Sequence, residues 1–308
     1  MAIRFGNAPC SWGTIEGFGQ GIGYRQMLDE LVEAGYRGTE LGDWGYMPTN
    51  PTELRQELQQ RGLTLLGAYE GVYLKDPAEH GPGEARVLRT ARLLKSVAEV
   101  GDGWQPLLVL ADEHSRDPLR FQHAGRVRPE MGLSASEWKT FALGAERIAK
   151  AVRDETGLRT VFHHHCAGYV EAPWEIEALL EHTDPSLLGL VFDTGHFLYG
   201  SGENRPEAVL EALERFQKRI WYVHYKDCHP GVAQEARTKG WNYKEAVGRG
   251  VFCELGAGQI DFGTVTRKLL ALGYDGWITV EQDVLPGMGA PKASAERNRA
   301  YLRRVTGY

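Results

Sequence analysis

The chain has 308 residues, 42% of them hydrophobic, with 35 basic and 41 acidic side chains. That length suits one large α/β unit, and the mild acidity without any long Lys/Arg run argues against a nucleic-acid partner. No window approaches the ~18 apolar residues of a spanning helix, and the N-terminus lacks a basic region followed by an apolar stretch, so a cytoplasmic protein without membrane contact is expected.

Strand-like and helix-like runs alternate eight times, the pattern parallel strands require because helices supply their crossovers. The first strand covers 3–7 and carries Pro9, Ser11, Trp12 and Gly13 just beyond its end. After a Gly-rich loop, 24–34 reads as an amphipathic helix stopped by Gly35. A second strand, 38–41, ends near Glu40, and Asn50-Pro51 starts a helix that stops at Gly62. The third strand, 63–68, has Tyr69 and Glu70 at its end, and a helix over 84–100 follows. The fourth, 107–110, leads into Asp112-Glu113-His114. Residues 115–133 read as a polar surface excursion, and Ser134 with Glu137 as a capping box opening a helix to about residue 155.

Strand five covers 160–165, helix five 174–180, strand six 187–193, helix six 205–216 and strand seven 220–225. Residues 228–259 are too long for a simple connector, which makes them a lid or an interface arm. Asp261 caps the next helix, strand eight covers 277–281, and a helix over 294–304 closes the chain. Eight strands and eight helices predict a (β/α)8 TIM barrel spanning 1–308 as a single domain. Cys10, Cys166, Cys228 and Cys253 form no C-x-x-C pair, which predicts four free thiols.

Four apolar runs end on ionisable groups: His163-His164-His165, Asp193 with His196, His224 with Lys226 and Asp227, and Glu281 with Asp283. Burying such groups side by side is costly without a cation, so recurrence at four strand ends points to a shared metal site at the C-terminal rim. Side chains alternate along a strand, which pairs His163 and His165 with the inward Val161 and sends His164 outward. Glu40 and Glu70, at the ends of strands two and three, are each a candidate general base, acid or helix-terminus anion. Lys226 is placed to bind a substrate oxygen and Asp227 to orient a ligating imidazole. Trp12, Trp44, Tyr46 and Tyr69 offer an apolar wall for a sugar ring. The Gly256-Ala-Gly258 turn is too short for a dinucleotide fingerprint, so NAD is not expected.

The segments NAPCSWG (7–13), AGYRGTELG (34–42), FDTGH (192–196), VHYKD (223–227), GVFCELGAGQIDF (250–262) and VEQD (280–283) together resemble the inosose dehydratase family, within the wider xylose-isomerase-like sugar isomerase and epimerase barrels. The resemblance implies a divalent metal, Mn or Co first with Fe, Zn or Mg as alternatives, on His163, Asp193, His224 and Glu281. In the wider group a Glu stands at the first of these positions. Here a His replaces it, which leaves His163, His165 or Glu171 as the first ligand and argues for a dehydratase over an epimerase. The implied reaction is loss of water from a cyclic polyhydroxy ketone, 2-keto-myo-inositol, by enolate formation and β-elimination. Glu40, His163, His165 or Glu281 would be the base, and His196 or Lys226 would assist the oxygen. Trp12, Glu70, His196 and Lys226 are the expected substrate contacts. The alternatives are elimination from a 3-keto-glycoside, sugar isomerisation or epimerisation, and a non-catalytic sugar-binding or scaffold subunit. A homo-oligomer is expected, with a partner subunit as the other possibility.

Overall fold

The structure, a computed structural model, describes residues 3–13, 21–285 and 287–308. Its centre is a parallel sheet of β1 (Arg4–Asn7), β2 (Gly38–Thr39), β3 (Thr64–Leu65), β4 (Gly67–Val72), β5 (Leu107–Asp112), β6 (Thr160–His163), β7 (Leu188–Asp193), β8 (Ile220–Tyr225) and, after the short antiparallel pair β9 (Asp227–Cys228) and β10 (Phe252–Cys253), β11 (Trp277–Val280). The order β3-β2-β1-β11-β8-β7-β6-β5-β4 returns to its start, because β3 and β4 are halves of one stretch broken at Leu66. Across the break, Leu66 N donates to Thr39 O on one side and Leu107 N to Leu66 O on the other. The sheet is therefore a nearly closed TIM barrel, as the alternation of runs predicts.

Strand alternation sorts the apolar side chains into two cores. Leu66, Leu107, Val109, Val161, Val191, Tyr222 and Trp277 fill the barrel interior. Phe162, Leu190, Phe192, Val223 and Ile278 face outward against the helices. Two residues beyond Val161, Val191 and Tyr222 stand His163, Asp193 and His224, on the same inward faces one layer higher. The register aligns His163 with Val191, Asp193 with His224 and His224 with Thr279. An apolar plug thus carries a polar layer at the C-terminal rim.

The surrounding helices are α1 (Tyr24–Glu33), α2 (Pro51–Arg61), α3 (Pro77–Val97), α4 (Pro118–Gln122), α5 (Ala135–Thr156), α6 (Pro173–His182), α7 (Thr194–Gly200), α8 (Glu207–Phe216), α9 (Pro230–Lys239), α10 (Tyr243–Gly248), α11 (Phe262–Ala271) and α12 (Pro291–Thr306). Their starts follow local chemistry. Asn50 accepts from Thr52 and Glu53 N, Ser134 and Glu137 form the capping box, and Asp261 accepts from Thr264 N.

Several expectations are corrected. The helix expected from Glu84 begins at Pro77, because Asp76 caps it and Pro is tolerated in a first turn. Gly81-Pro82-Gly83, which looks like a breaker, lies inside α3. A Cβ on Gly83 would stand 2.5 Å from Val72, so glycine there lets the helix lie close to β4. Residues 115–133 are not merely a surface excursion. Arg120 is wholly buried, ion-paired to Glu175 at 2.6 Å, and its Nε donates to Gly168 O at 2.9 Å. The 228–259 stretch contains β10, α9 and α10. The Gly-rich loop before α1 lies largely outside the described residues. All four cysteines are free thiols.

Candidate functional site

One cavity at the barrel rim is lined among others by Cys10, Glu40, Tyr69, His114, His163, His165, His224, Lys226, Tyr243, Glu281 and Asp283, most of them on strands or just past their ends. At its floor, His163, Asp193, His224 and Glu281 each offer one donor atom, and these atoms lie within 4.8 Å of one another. His163 Nε2 is 3.7 Å and His224 Nδ1 3.9 Å from Asp193 Oδ2, and His224 Nδ1 is 3.2 Å from Glu281 Oε1. Metal bonds of about 2.1 Å place neighbouring ligand atoms roughly 3.0–3.4 Å apart, so the cluster is close to the size a divalent cation requires.

The donors also lack other work. Asp193 ends β7 and caps α7, but it caps with one oxygen: Oδ1 accepts from His196 N at 2.7 Å. Asp193 Oδ2 and His224 Nδ1 are buried without an aligned hydrogen-bond partner. Buried polar atoms are rarely left so, and here they converge on one point. The residues therefore fit a bound cation, and this His/Asp/Glu cluster could hold one.

Electrostatics follow from burial and neighbours. Burial opposes charge on His224, but Glu281 and Glu40 more than offset it and hold the imidazole well above its usual range. Burial likewise opposes charge on Lys226, and the carboxylates of Asp283 and Glu281, 3.0 and 3.4 Å away, outweigh it and raise the ammonium. Burial would raise the Glu281 carboxyl, yet His224 and Lys226 bring it well below the ordinary range. At Asp283 burial prevails over Lys226 and the shift is upward.

Above the cluster is a wall of imidazole and phenol rings. The His165 ring packs at a tilt against His196 at 4.0 Å and His114 at 4.8 Å between centroids. Burial first, and then His114, keep His165 well below the usual imidazole range, so it is neutral. Its Nδ1 lies 2.6 Å from Cys166 O, which makes Nδ1 the protonated nitrogen, and its Nε2 lies 3.5 Å from Tyr243 Oη.

The other expected site residues go elsewhere. Glu171 is not at the cluster: its carboxylate accepts from Gly125 N and Ala167 N, and burial pushes it up to about 7. Glu70 is not a cavity residue, because β4 runs on to Val72 and alternation turns Tyr69 inward and Glu70 toward Thr90 of α3. Trp12 belongs to the core, 1% exposed, with Nε1 donating to Glu30. His196 does not line the cavity; it backs His165 and accepts from Cys166 N at 3.3 Å. His164 faces outward beside Phe192, accepts from Asp193 N at 3.1 Å, and is lowered by burial to about 3. Trp44 lies under Arg89, and Tyr46 donates to Ile22 O.

Asp227 does not orient an imidazole. Its two oxygens accept from the backbone N of Cys228, Gly256, Gly258 and Ile260, which ties the end of the 228–259 segment to its beginning. A Cβ on Gly258 would meet Asp227 Oδ1 at 2.2 Å, and this explains the Gly-Ala-Gly turn. Asp283, which ends the last apolar run with Glu281, lines the cavity, and so do Tyr243 and Cys10, which were not expected there. His114 stands two residues beyond the end of β5, in the Asp112-Glu113-His114 run that the sequence displays. Tyr243 comes from α10, and no local pattern announces it.

The sequence profile described as xylose isomerase-like TIM barrel matches residues 18–305. The chain belongs to that family. Within it, the chain is 33% identical over 309 residues to an inosose dehydratase of Geobacillus kaustophilus (strain HTA426), covering 98% of this chain and 94% of the relative. It is 32% identical over 305 residues to an inosose dehydratase of Lacticaseibacillus casei, covering 98% and 97%. The chain is thus a member of the inosose dehydratase family and an enzyme of the lyase class. Its fold matches a 3-keto-D-glucoside 4-epimerase from E. coli, with TM-score 0.65, 16% identity and coverage of 98% and 100%. It also matches a probable 3-DHS dehydratase from Bacillus anthracis, with TM-score 0.67, 14% identity and coverage of 95% and 97%. Among the described residues no helix is long and apolar enough to cross a membrane.

Proposed function

We propose that the chain is a metal-dependent dehydratase that removes water from a cyclic polyhydroxy ketone, with 2-keto-myo-inositol as substrate. His163, Asp193, His224 and Glu281 would hold the ion, Mn or Co, which when bound supplies Lewis acidity at the ketone oxygen. The observation that carries the reading is that His165, an imidazole outside the four-donor cluster, and Lys226 line the one cavity that has that cluster at its floor. One accepts a proton and the other gives one, as elimination of water requires.

His165 is the base. With Nδ1–H donated to Cys166 O, the lone pair is on Nε2, which takes the proton from the carbon beside the ketone in place of its long 3.5 Å contact with the Tyr243 hydroxyl. The electron pair of that C–H bond passes into the ring as an enolate, and the β-carbon–oxygen bond then breaks. Lys226, steadied by Asp283 and Glu281, gives its proton to the departing oxygen, which leaves as water. The ring keeps an enol that tautomerises to a deoxy diketone. His114, Tyr69 and Tyr243 stand around the cavity as donors and acceptors for the remaining hydroxyls.

The test is turnover of 2-keto-myo-inositol by chelated protein before and after Mn2+ or Co2+ is returned. Water loss that disappears with the metal and returns with it is expected. Equal turnover in both states would reject metal dependence, and no turnover in either would reject the substrate.

A further inference from the structure

We propose that Glu40 is a positioning residue that selects the His224 tautomer and aims His224 Nδ1 at the metal, and is not the catalytic base. The inference rests on reading the four-residue cluster as a metal site. His224 uses its two nitrogens on opposite sides. Nδ1 faces Glu281 Oε1 at 3.2 Å and Asp193 Oδ2 at 3.9 Å, whereas Nε2 lies 2.9 Å from Glu40 Oε1. A ligating nitrogen needs its lone pair, so with Nδ1 on the ion the proton must be on Nε2, and Glu40 is the acceptor it meets there.

Glu40 is itself fixed from below. The Tyr222 hydroxyl, two residues before His224 on the same inward face of β8, donates to the same Glu40 oxygen at 2.9 Å and contacts the Thr279 hydroxyl. Thr279 is the register partner of His224 on β11. Thr279, Tyr222, Glu40 and His224 therefore form one buried polar chain, with Glu40 only 4% exposed. Such a chain holds a ring in place, and the Glu40 oxygen nearest His224 is committed to it by two hydrogen bonds.

The experiment measures Co2+ affinity by competition with a chromophoric chelator, for wild type, Glu40→Ala, Glu40→Gln, Tyr222→Phe and Asp193→Asn. Thermal unfolding of each metal-free variant serves as the folding check. Glu40→Ala is expected to weaken Co2+ binding by ~10- to 100-fold, with lost turnover recovering as Co2+ is raised. Glu40→Gln keeps an oxygen acceptor for Nε2–H and should weaken binding less than Glu40→Ala. Tyr222→Phe, acting through Glu40, should also weaken it less. Glu40→Ala and Glu40→Gln variants that bind Co2+ as wild type does, yet stay inactive when saturated, would overturn the positioning role and return Glu40 to proton transfer. If wild type and Asp193→Asn bind Co2+ alike, the metal reading itself fails, and that outcome is distinct from the first.

Discussion

Replacing His165 with Asn tests the chemistry at its most specific point. The shorter amide can still donate toward Cys166 O, as His165 Nδ1 does at 2.6 Å, but it has no lone pair where Nε2 stood. Loss of one general base costs ~10²- to 10⁴-fold in turnover, about 2.7–5.4 kcal/mol of barrier. His165 is outside the metal cluster, so bound metal should stay at the wild-type level. The assay is kcat for 2-keto-myo-inositol at saturating metal, with metal content measured on the same sample. A kcat within tenfold of wild type at full metal occupancy would refute the assignment of His165. Loss of metal together with activity would also refute it, since it would make His165 a ligand.

Asp193→Asn separates cap from ligand: the amide oxygen can keep accepting from His196 N, while an NH2 replaces the unsatisfied Oδ2. Metal binding should vanish and metal-free stability should change by less than ~1 kcal/mol; a metal content equal to wild type in this variant would contradict the ligand role. Asp227→Asn turns one of two acceptor oxygens into a donor facing backbone N–H groups, so it should destabilise by about 2–4 kcal/mol in urea unfolding and expose 228–259 to proteolysis. Unchanged stability and protease resistance would show that the carboxylate is not the anchor. Burial raises the Asp112 carboxyl to about 7, so between pH 4 and 7 the folded chain retains a proton that the unfolded chain has lost. That group therefore lowers stability as pH rises, by up to ~1.4 kcal/mol per unit. The stability difference between wild type and Asp112→Asn, from urea midpoints at pH 5 and 8, should shift against wild type at pH 8; parallel pH curves would contradict this.

The barrel was legible because its two periodicities do not compete. Val-x-His, Val-x-Asp and Tyr-x-His at β6, β7 and β8 put an apolar residue and a polar one on the same inward face, which a single sequence displays. Glu70 was misplaced because the strand continues past it, and a shift of one residue turns a rim group into one that faces a helix. Asp227 looked like a partner of His224 because it is three residues away. Its true partners, Gly256, Gly258 and Ile260, are brought back by the 228–259 segment, and no local pattern encodes that return. Asp193 is cap and candidate ligand at once: the carboxylate has two oxygens, and the cap uses one.

The most direct test of the whole account is a proton NMR time course in D2O with 2-keto-myo-inositol, run on chelated protein and on protein reloaded with Mn2+ or Co2+. The account predicts loss of the proton next to the ketone and formation of a deoxy diketone only after metal is returned. Product formation at the same rate in chelated protein would contradict it. So would an unchanged substrate spectrum with every metal supplied.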